Sequence, residues 1–160
     1  MKLKDLLSRK RPAILAQWFE EALRVYPAGS QGFFREEMNG FGNPVGSTIR
    51  ESLGGLYEEL LRGWEKENIL PLLDPLIRMR AVQQCSPSQA VSFIFSLKKI
   101  VQEELTREIR GHPLLEEFQD FAGEVDRLTL FAFDLYMSCR EKVHEMKVKE
   151  LKNAVHLRKN

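Results

Sequence analysis

The chain has 160 residues, 43% of them hydrophobic and 29% charged, and a formal net charge of +1. Its length fits one domain that buries roughly two thirds of its unfolded surface. The near-neutral charge, two cysteines and no run of ~20 uninterrupted apolar residues argue against a nucleic-acid-binding protein, a disulfide scaffold and a membrane-spanning protein. We therefore expect a soluble cytoplasmic protein with one domain over residues 1–160, no nucleic-acid partner and no membrane insertion.

Helix starts are marked by a capping residue directly before a proline. These pairs are Asn43-Pro44, Asp74-Pro75 and Ser86-Pro87, with Arg11-Pro12 and His112-Pro113 as weaker examples. A cap oxygen accepts a hydrogen bond from a first-turn N–H, and proline lacks a donor that this position does not need. Gln89 completes a capping box with Ser86. The pairs predict an all-α fold.

The first half of the chain predicts two helices separated by a loop. Residues 12–26 have apolar side chains at helical spacing and include Trp18. Residues 27–42 are rich in glycine and predict a loop with one helical turn over 33–38. The second helix follows Asn43 and ends near Gly63. Its interior Gly54 and Gly55 favour a close helix crossing over a hinge.

The middle of the chain predicts a loop over 64–73, a helix from Asp74 through 84, and another from Ser86 through 108. Residues 91–95 alternate in the manner of a strand. The capping box before them and the helix-forming residues 97–107 after them favour a helix instead.

The last predicted element begins near Pro113, breaks at Gly123 and reaches past Leu151. Its early half repeats apolar residues at core-helix spacing. Residues 141–160 form an extended C-terminal helix or tail, in which few apolar residues stand among many charges. Such a narrow apolar face commonly packs against a partner helix. We expect a homodimer through this helix, with the first helix as a further contact.

The most conspicuous polar residue is Asp134, which stands inside the apolar run 131–136. A buried carboxylate must be paired, hydrogen-bonded or neutral. We favour a structural salt bridge to an arginine and leave open a ligand-related, switch or catalytic role. The candidate buried polar or switch residues are Arg78, Arg80, Arg127, Asp134 and Arg140.

The sequence predicts no metal, cofactor or catalytic site. His112 lies in a Gly-His-Pro link, His144 lies between lysines, and His156 is near the chain end. Cys85 and Cys139 fall within predicted helices without metal-ligand spacing and indicate buried reduced thiols. No phosphate loop, paired-histidine helix or nucleophile elbow is present. We do not expect an enzyme.

Several ordered blocks of the chain resemble the RsbRD N-terminal domain family of RsbT co-antagonist proteins. The blocks are Asn43-Pro44-Val45-Gly46 with Arg50-Glu51, Arg78-Met79-Arg80-Ala81-Val82-Gln83 with Ser86-Pro87-Ser88-Gln89-Ala90, Asp126-Arg127-Leu128, and Phe133-Asp134-Leu135-Tyr136-Met137 with Cys139-Arg140-Glu141-Lys142. The resemblance extends over residues 12 to about 150.

The resemblance implies a globin-like helical sensor domain that generally lacks haem, dimerises and signals through its last helix to a phosphorylatable output domain. Such co-antagonists act in the stressosome, where they sequester a kinase that controls a stress sigma factor. Arg80, Arg127, Asp134 and Arg140 match recurrent polar positions of the family, to which the resemblance assigns no ligand. Since no output domain follows by Asn160, we expect a free-standing sensor or partner-binding module.

The resulting expectation is a cofactor-free, globin-like bundle that binds a regulatory protein partner or small ligand and reports it through its C-terminal helix. The alternative is a haem-binding globin-type redox or gas sensor. A Soret absorption band in haem-supplemented protein would distinguish this alternative.

Overall fold

The computed structural model describes residues 2–36, 42–83, 85–110 and 113–159, and every regular element in these ranges is a helix. The helices are α1 Leu3–Arg9, α2 Arg11–Leu23, α3 Ala28–Arg35, α4 Pro44–Arg62, α5 Lys66–Val82, α6 Pro87–Glu104, α7 Thr106–Ile109 and α8 Leu114–Lys159. The predicted all-α class and long C-terminal helix are confirmed. His112 and the end of the predicted turn over 33–38 lie outside the described residues.

Two of the predicted caps are present at the starts of α4 and α6. The Gly46 amide donates to Asn43 Oδ1 at 3.0 Å. At α6 the Gln89 amide donates to Ser86 Oγ at 3.2 Å, and the Ser86 amide donates to Gln89 Oε1 at 2.9 Å. These reciprocal bonds satisfy amides that have no partner inside the helix.

The predicted helix start at Asp74 is wrong, and so is the loop predicted over 64–73. Helix α5 begins at Lys66 and contains both Pro71 and Pro75. An interior proline costs about 3 kcal/mol relative to alanine. The apolar residues that α5 buries lie on both sides of Asp74, so tertiary packing outweighs this local preference. Asp74 is not a cap but pairs with Arg78 one turn later, at 2.9 Å.

Other differences concern short helices and one glycine. Helix α1 was not expected, and α3 occupies the first part of the predicted loop 27–42. The long helix predicted through 108 divides into α6 and α7 at Leu105. The break predicted at Gly123 is also wrong, because α8 continues through this residue. Packing of α8 against the body fixes the helix across the glycine.

The core lies between α2, α4, α5, α6 and the first half of α8. Trp18 is fully buried, and its indole N–H donates to the Phe93 carbonyl at 2.7 Å. Tyr57 is fully buried as well and donates to the Leu7 carbonyl at 2.5 Å. Each large side chain thus satisfies its polar atom within the interior.

The predicted close crossing at the glycine pair of α4 is confirmed at Gly55. A Cβ atom on Gly55 would lie 2.6 Å from a methyl carbon of Leu72 on α5. The absence of a side chain therefore lets α4 and α5 approach closely at this point.

Two glycines predict opposite effects of alanine substitution on stability. In Gly46→Ala the new Cβ would overlap the Phe34 carbonyl oxygen and the capping Asn43 side chain. Gly123 has no neighbouring atom within 4 Å of the same position. We expect Gly46→Ala to lower the free energy of unfolding by about 1–3 kcal/mol, and Gly123→Ala to raise it by up to about 1 kcal/mol. Urea denaturation followed by circular dichroism measures both effects, and equal shifts would contradict the contrast.

Candidate functional site: Arg80 and the last helix

The largest charged group in the core belongs to Arg80 of α5, which is only 1% exposed. Its Nη2 atom donates to the Ala22 carbonyl at 2.6 Å. Its Cζ atom lies 5.4 Å from the centre of the Tyr26 ring and 5.1 Å from that of Phe93. The guanidinium is thus enclosed by α2 and α6, with two aromatic faces near its charge.

No carboxylate balances this charge within the described ranges, because Arg80 takes part in none of their ion pairs. Its Nη1 atom is buried and has no hydrogen-bond partner among the same residues. Burial lowers the pKa of Arg80, an effect that Tyr26 and Cys85 oppose. A buried cation without a carboxylate is costly, which makes this position a candidate functional site.

The end of α5 and the link to α6 are bonded to the middle of α8. The Tyr136 hydroxyl donates to the Cys85 carbonyl at 2.6 Å, and Arg140 Nη1 donates to the Ala81 carbonyl at 2.7 Å. A displacement of this region would therefore act directly on α8, at and just after its last buried residue, Tyr136.

An apolar groove lies on the outer side of Tyr26. It has a volume of about 420 Å³ and is lined by Val45, Met79 and Val82, with Arg78 and Gln83 as its polar lining residues. Tyr26 thus separates the buried Arg80 guanidinium from a surface that an apolar group could contact.

Helix α8 extends well past the body. Tyr136 is its last buried residue, and within 141–159 every residue is exposed or only half-buried. These 19 residues extend roughly 28 Å at about 1.5 Å per residue. We call residues 141–159 the projecting segment. The predicted exposed extension of the last helix is confirmed.

One side of α8 carries apolar residues along both the body and the projecting segment, all of them exposed except the half-buried Val148. At about 100° per residue they fall in a narrow arc, away from the core-facing Ala132 and Tyr136. We call these residues the outer stripe: Leu130, Phe133, Met137, Val148, Leu151 and Val155. Glu141 and His144 occupy the same arc between Met137 and Val148.

The expected burial of Asp134 is wrong. This residue is exposed on α8, and it forms none of the ion pairs found among the described residues. The apolar residues around Asp134 lie on two different faces of α8. Ala132 and Tyr136 face the core, whereas Phe133 and Met137 belong to the outer stripe. Asp134 lies near the outer stripe, so its apolar neighbours in sequence do not enclose it.

The four arginines considered as partners of Asp134 have other contacts. Arg78 is exposed and pairs with Asp74. Arg127 is exposed, pairs with Glu124 at 2.7 Å, and stacks with its Cζ 4.0 Å from the Trp64 ring centre. Arg140 is half-buried and Arg80 is buried, each with a carbonyl partner. The expectation of five buried residues therefore holds for Arg80 alone.

The remaining chemistry-bearing residues are dispersed. His144 and His156 lie exposed on the projecting segment. In the part of the chain that the structure describes, no three histidine, cysteine or acidic residues come together as a metal site. Cys139 is half-buried on α8, whereas Cys85 lies in the link between α5 and α6, not in a helix as expected. The sequence contained a signal for this position of Cys85, because a residue directly before the Ser86 helix cap lies outside the helix that begins there.

Comparison with known proteins gives a family for this architecture. A family model described as RsbT co-antagonist protein rsbRD N-terminal domain matches residues 12–151. The chain belongs to this family. Neither the curated proteins nor the solved structures that were searched contain a match.

Membership in the rsbRD N-terminal domain family confirms the resemblance found in the ordered sequence blocks. The description of the family suggests a regulatory module of the stress-response type. The match includes Arg80, the α8 residues Tyr136 and Arg140, and the projecting segment up to Leu151. Among the described helices of this rsbRD N-terminal domain, none combines the length and apolar character needed to cross a membrane.

Proposed function

We propose that this rsbRD N-terminal domain is a non-catalytic sensor module that forms a homodimer through α8. A small ligand or a regulatory protein partner changes the packing around Arg80, and the projecting segment reports the change as a shift between two helix arrangements. The observation that carries this proposal is the continuation of α8 beyond the body with an exposed apolar stripe.

The contacts at the base of the projecting segment support transmission of a signal. Tyr136 and Arg140 are the two α8 residues that donate to carbonyls of residues 81 and 85. Arg80 lies next to this region and is held by Ala22 of α2. A change in the position of α2 or α5 therefore alters the hydrogen bonds of Tyr136 and Arg140, which hold α8 against the body.

The outer stripe supports a second copy of the chain as the partner. It begins on the body at Leu130 and continues to Val155, with Glu141 and His144 between its two apolar stretches, so an identical helix can pack along both stretches. Lysine and glutamate residues flank the stripe on the projecting segment and can pair across such an interface.

A charge placed on the outer stripe tests the interface. We expect Leu151→Glu to weaken the dimer at least about tenfold in Kd, because each copy would bury a carboxylate in the apolar seam. Asn153→Glu is the matched control, since it adds the same charge to the opposite side of the helix. Sedimentation equilibrium measures both values. Equal weakening by the two variants, or none by Leu151→Glu, would contradict the proposal.

A further inference from the structure

Gln83, the residue directly after α5, carries a polar atom that lacks a partner. Its side chain lines the apolar groove beside Tyr26, and the residue is half-buried. The Oε1 atom is buried and has no hydrogen-bond partner among the described residues. A buried carbonyl oxygen without a donor is costly. A ligand in the groove that brings an N–H or O–H group to this oxygen would remove that cost.

The groove has the size and surface of a small-molecule site. Its volume of about 420 Å³ lies within the range of roughly 300–1,000 Å³ that is typical of ligand pockets. Val45, Met79 and Val82 supply its apolar lining, and 73% of the Val82 surface is exposed. An apolar ligand group would therefore cover hydrocarbon that now contacts water. The lining residues that the structure describes all precede α6, so the groove is separate from the outer stripe on α8.

The charges around the groove favour an uncharged ligand. Arg78 is the charged residue of the described lining, and it pairs with Asp74 at 2.9 Å. The buried Arg80 guanidinium, on the other side of Tyr26, disfavours a cation. A carboxylate has no proton to donate to Gln83 Oε1, and its charge would have to leave water for an apolar surface. A hydroxyl group supplies the required donor with little polar surface.

We propose that the groove beside Tyr26 binds a small neutral alcohol. The hydrocarbon part of the alcohol lies against Val45, Met79 and Val82, and its hydroxyl group donates a hydrogen bond to Gln83 Oε1. Binding therefore covers exposed apolar surface and at the same time satisfies a buried acceptor. This assignment deepens the proposed function, because it names the class of small ligand that the module would take.

The position of Gln83 connects this site to α8. Gln83 lies between Ala81 and Cys85, whose carbonyls accept the hydrogen bonds of Arg140 and Tyr136. A ligand held by Gln83 therefore acts on the short segment that is bonded to α8. This consequence rests on the proposed function, whereas binding of the alcohol can be measured without it.

NMR of the full chain with isotope-labelled methionine methyl groups measures binding in the groove. Met79 lines the groove, and Met146, exposed on the projecting segment, is the internal reference. The probes are n-octanol and its isomer n-heptyl methyl ether, which has the same number of atoms but no donor. We expect n-octanol to shift the Met79 signal to saturation, with a Kd at least about tenfold lower than that of the ether.

Three results of this titration would overturn the proposal. Equal affinities of the two probes would show that no donor to Gln83 is required. A Met79 signal that neither probe shifts would show that the groove is not a site. Equal shifts of the Met79 and Met146 signals would show that the alcohol contacts apolar surface without preference.

Gln83→Leu tests the acceptor, because leucine removes the amide oxygen and keeps a side chain of similar volume. We expect this variant to bind n-octanol at least about tenfold more weakly and to bind the ether unchanged. Gln102→Leu is the matched control, since Gln102 is exposed on α6 and does not line the groove. Unchanged n-octanol affinity in a Gln83→Leu protein that is folded by circular dichroism would contradict the assignment. If that variant does not fold, the two probes still decide on the unchanged protein.

Sedimentation equilibrium separates the alcohol site from the dimer. Val82→Asp places a carboxylate in the groove, and we expect it to abolish saturable n-octanol binding while the Kd of the dimer stays unchanged. If it instead weakens the dimer as Leu151→Glu does, a second copy covers the groove and the alcohol site is wrong. If the full chain binds n-octanol as a monomer, the alcohol site stands and the proposed dimer does not.

Discussion

Trp18→Ala is expected to lower the free energy of unfolding by roughly 3–5 kcal/mol, a large part of the stability of a domain of this size. The substitution removes a fully buried indole and its hydrogen bond to the Phe93 carbonyl. It leaves a cavity between α2 and α6, which cannot close without moving the surrounding helices. Urea denaturation monitored by circular dichroism measures the change.

Phe95→Ala is the matched control for this prediction. Phe95 lies on α6 two residues from Phe93, but 55% of its surface is exposed. We expect its removal to change stability by less than about 1 kcal/mol. Similar losses in Trp18→Ala and Phe95→Ala would show that α2 and α6 do not enclose the core in the way described.

Arg80→Ala and Arg80→Met are expected to have different effects on stability. The alanine variant loses the bond to the Ala22 carbonyl and leaves a cavity beside Tyr26 and Phe93, so we expect a loss of roughly 2–4 kcal/mol. The methionine variant refills most of that volume and removes a buried charge that has no carboxylate. We expect its stability to stay within about 1 kcal/mol of the unchanged protein.

Thermal unfolding compares these two variants at neutral pH. If Arg80→Met is as unstable as Arg80→Ala, the guanidinium is itself required by the fold. If Arg80→Met retains stability, an apolar side chain of similar volume is enough for the fold, and the buried charge is not needed for stability. This second outcome supports retention of Arg80 for a regulatory role.

Local stereochemistry allowed some helix starts to be predicted and others not. The Asn43 and Ser86 caps depend on residues three positions apart, so their geometry could be read directly from the sequence. The Asp74-Pro75 pair has the same local signal, but residues 66–73 become helical because α5 packs against α4 and α8. That stabilisation comes from residues distant in the chain and has no local signature.

The candidate site was less predictable than the fold. Asp134 attracted attention because its sequence neighbours are apolar, yet adjacent residues on a helix point about 100° apart and belong here to two different faces. Arg80 was among the expected residues, but Ala22 and Phe93, which enclose it, are far from it in sequence. The hydrogen bond from Tyr136 to the Cys85 carbonyl likewise joins residues distant in sequence, which the packing of α8 brings together.

Truncation after Arg140 tests the proposed function most directly, because it removes the projecting segment and retains every buried residue of α8. Sedimentation equilibrium of the full chain and of residues 1–140 measures the number of copies, and circular dichroism with thermal unfolding checks that the body stays folded. We expect a dimer for the full chain and a folded monomer for residues 1–140. A dimer of residues 1–140 with unchanged affinity would contradict an interface on the projecting segment.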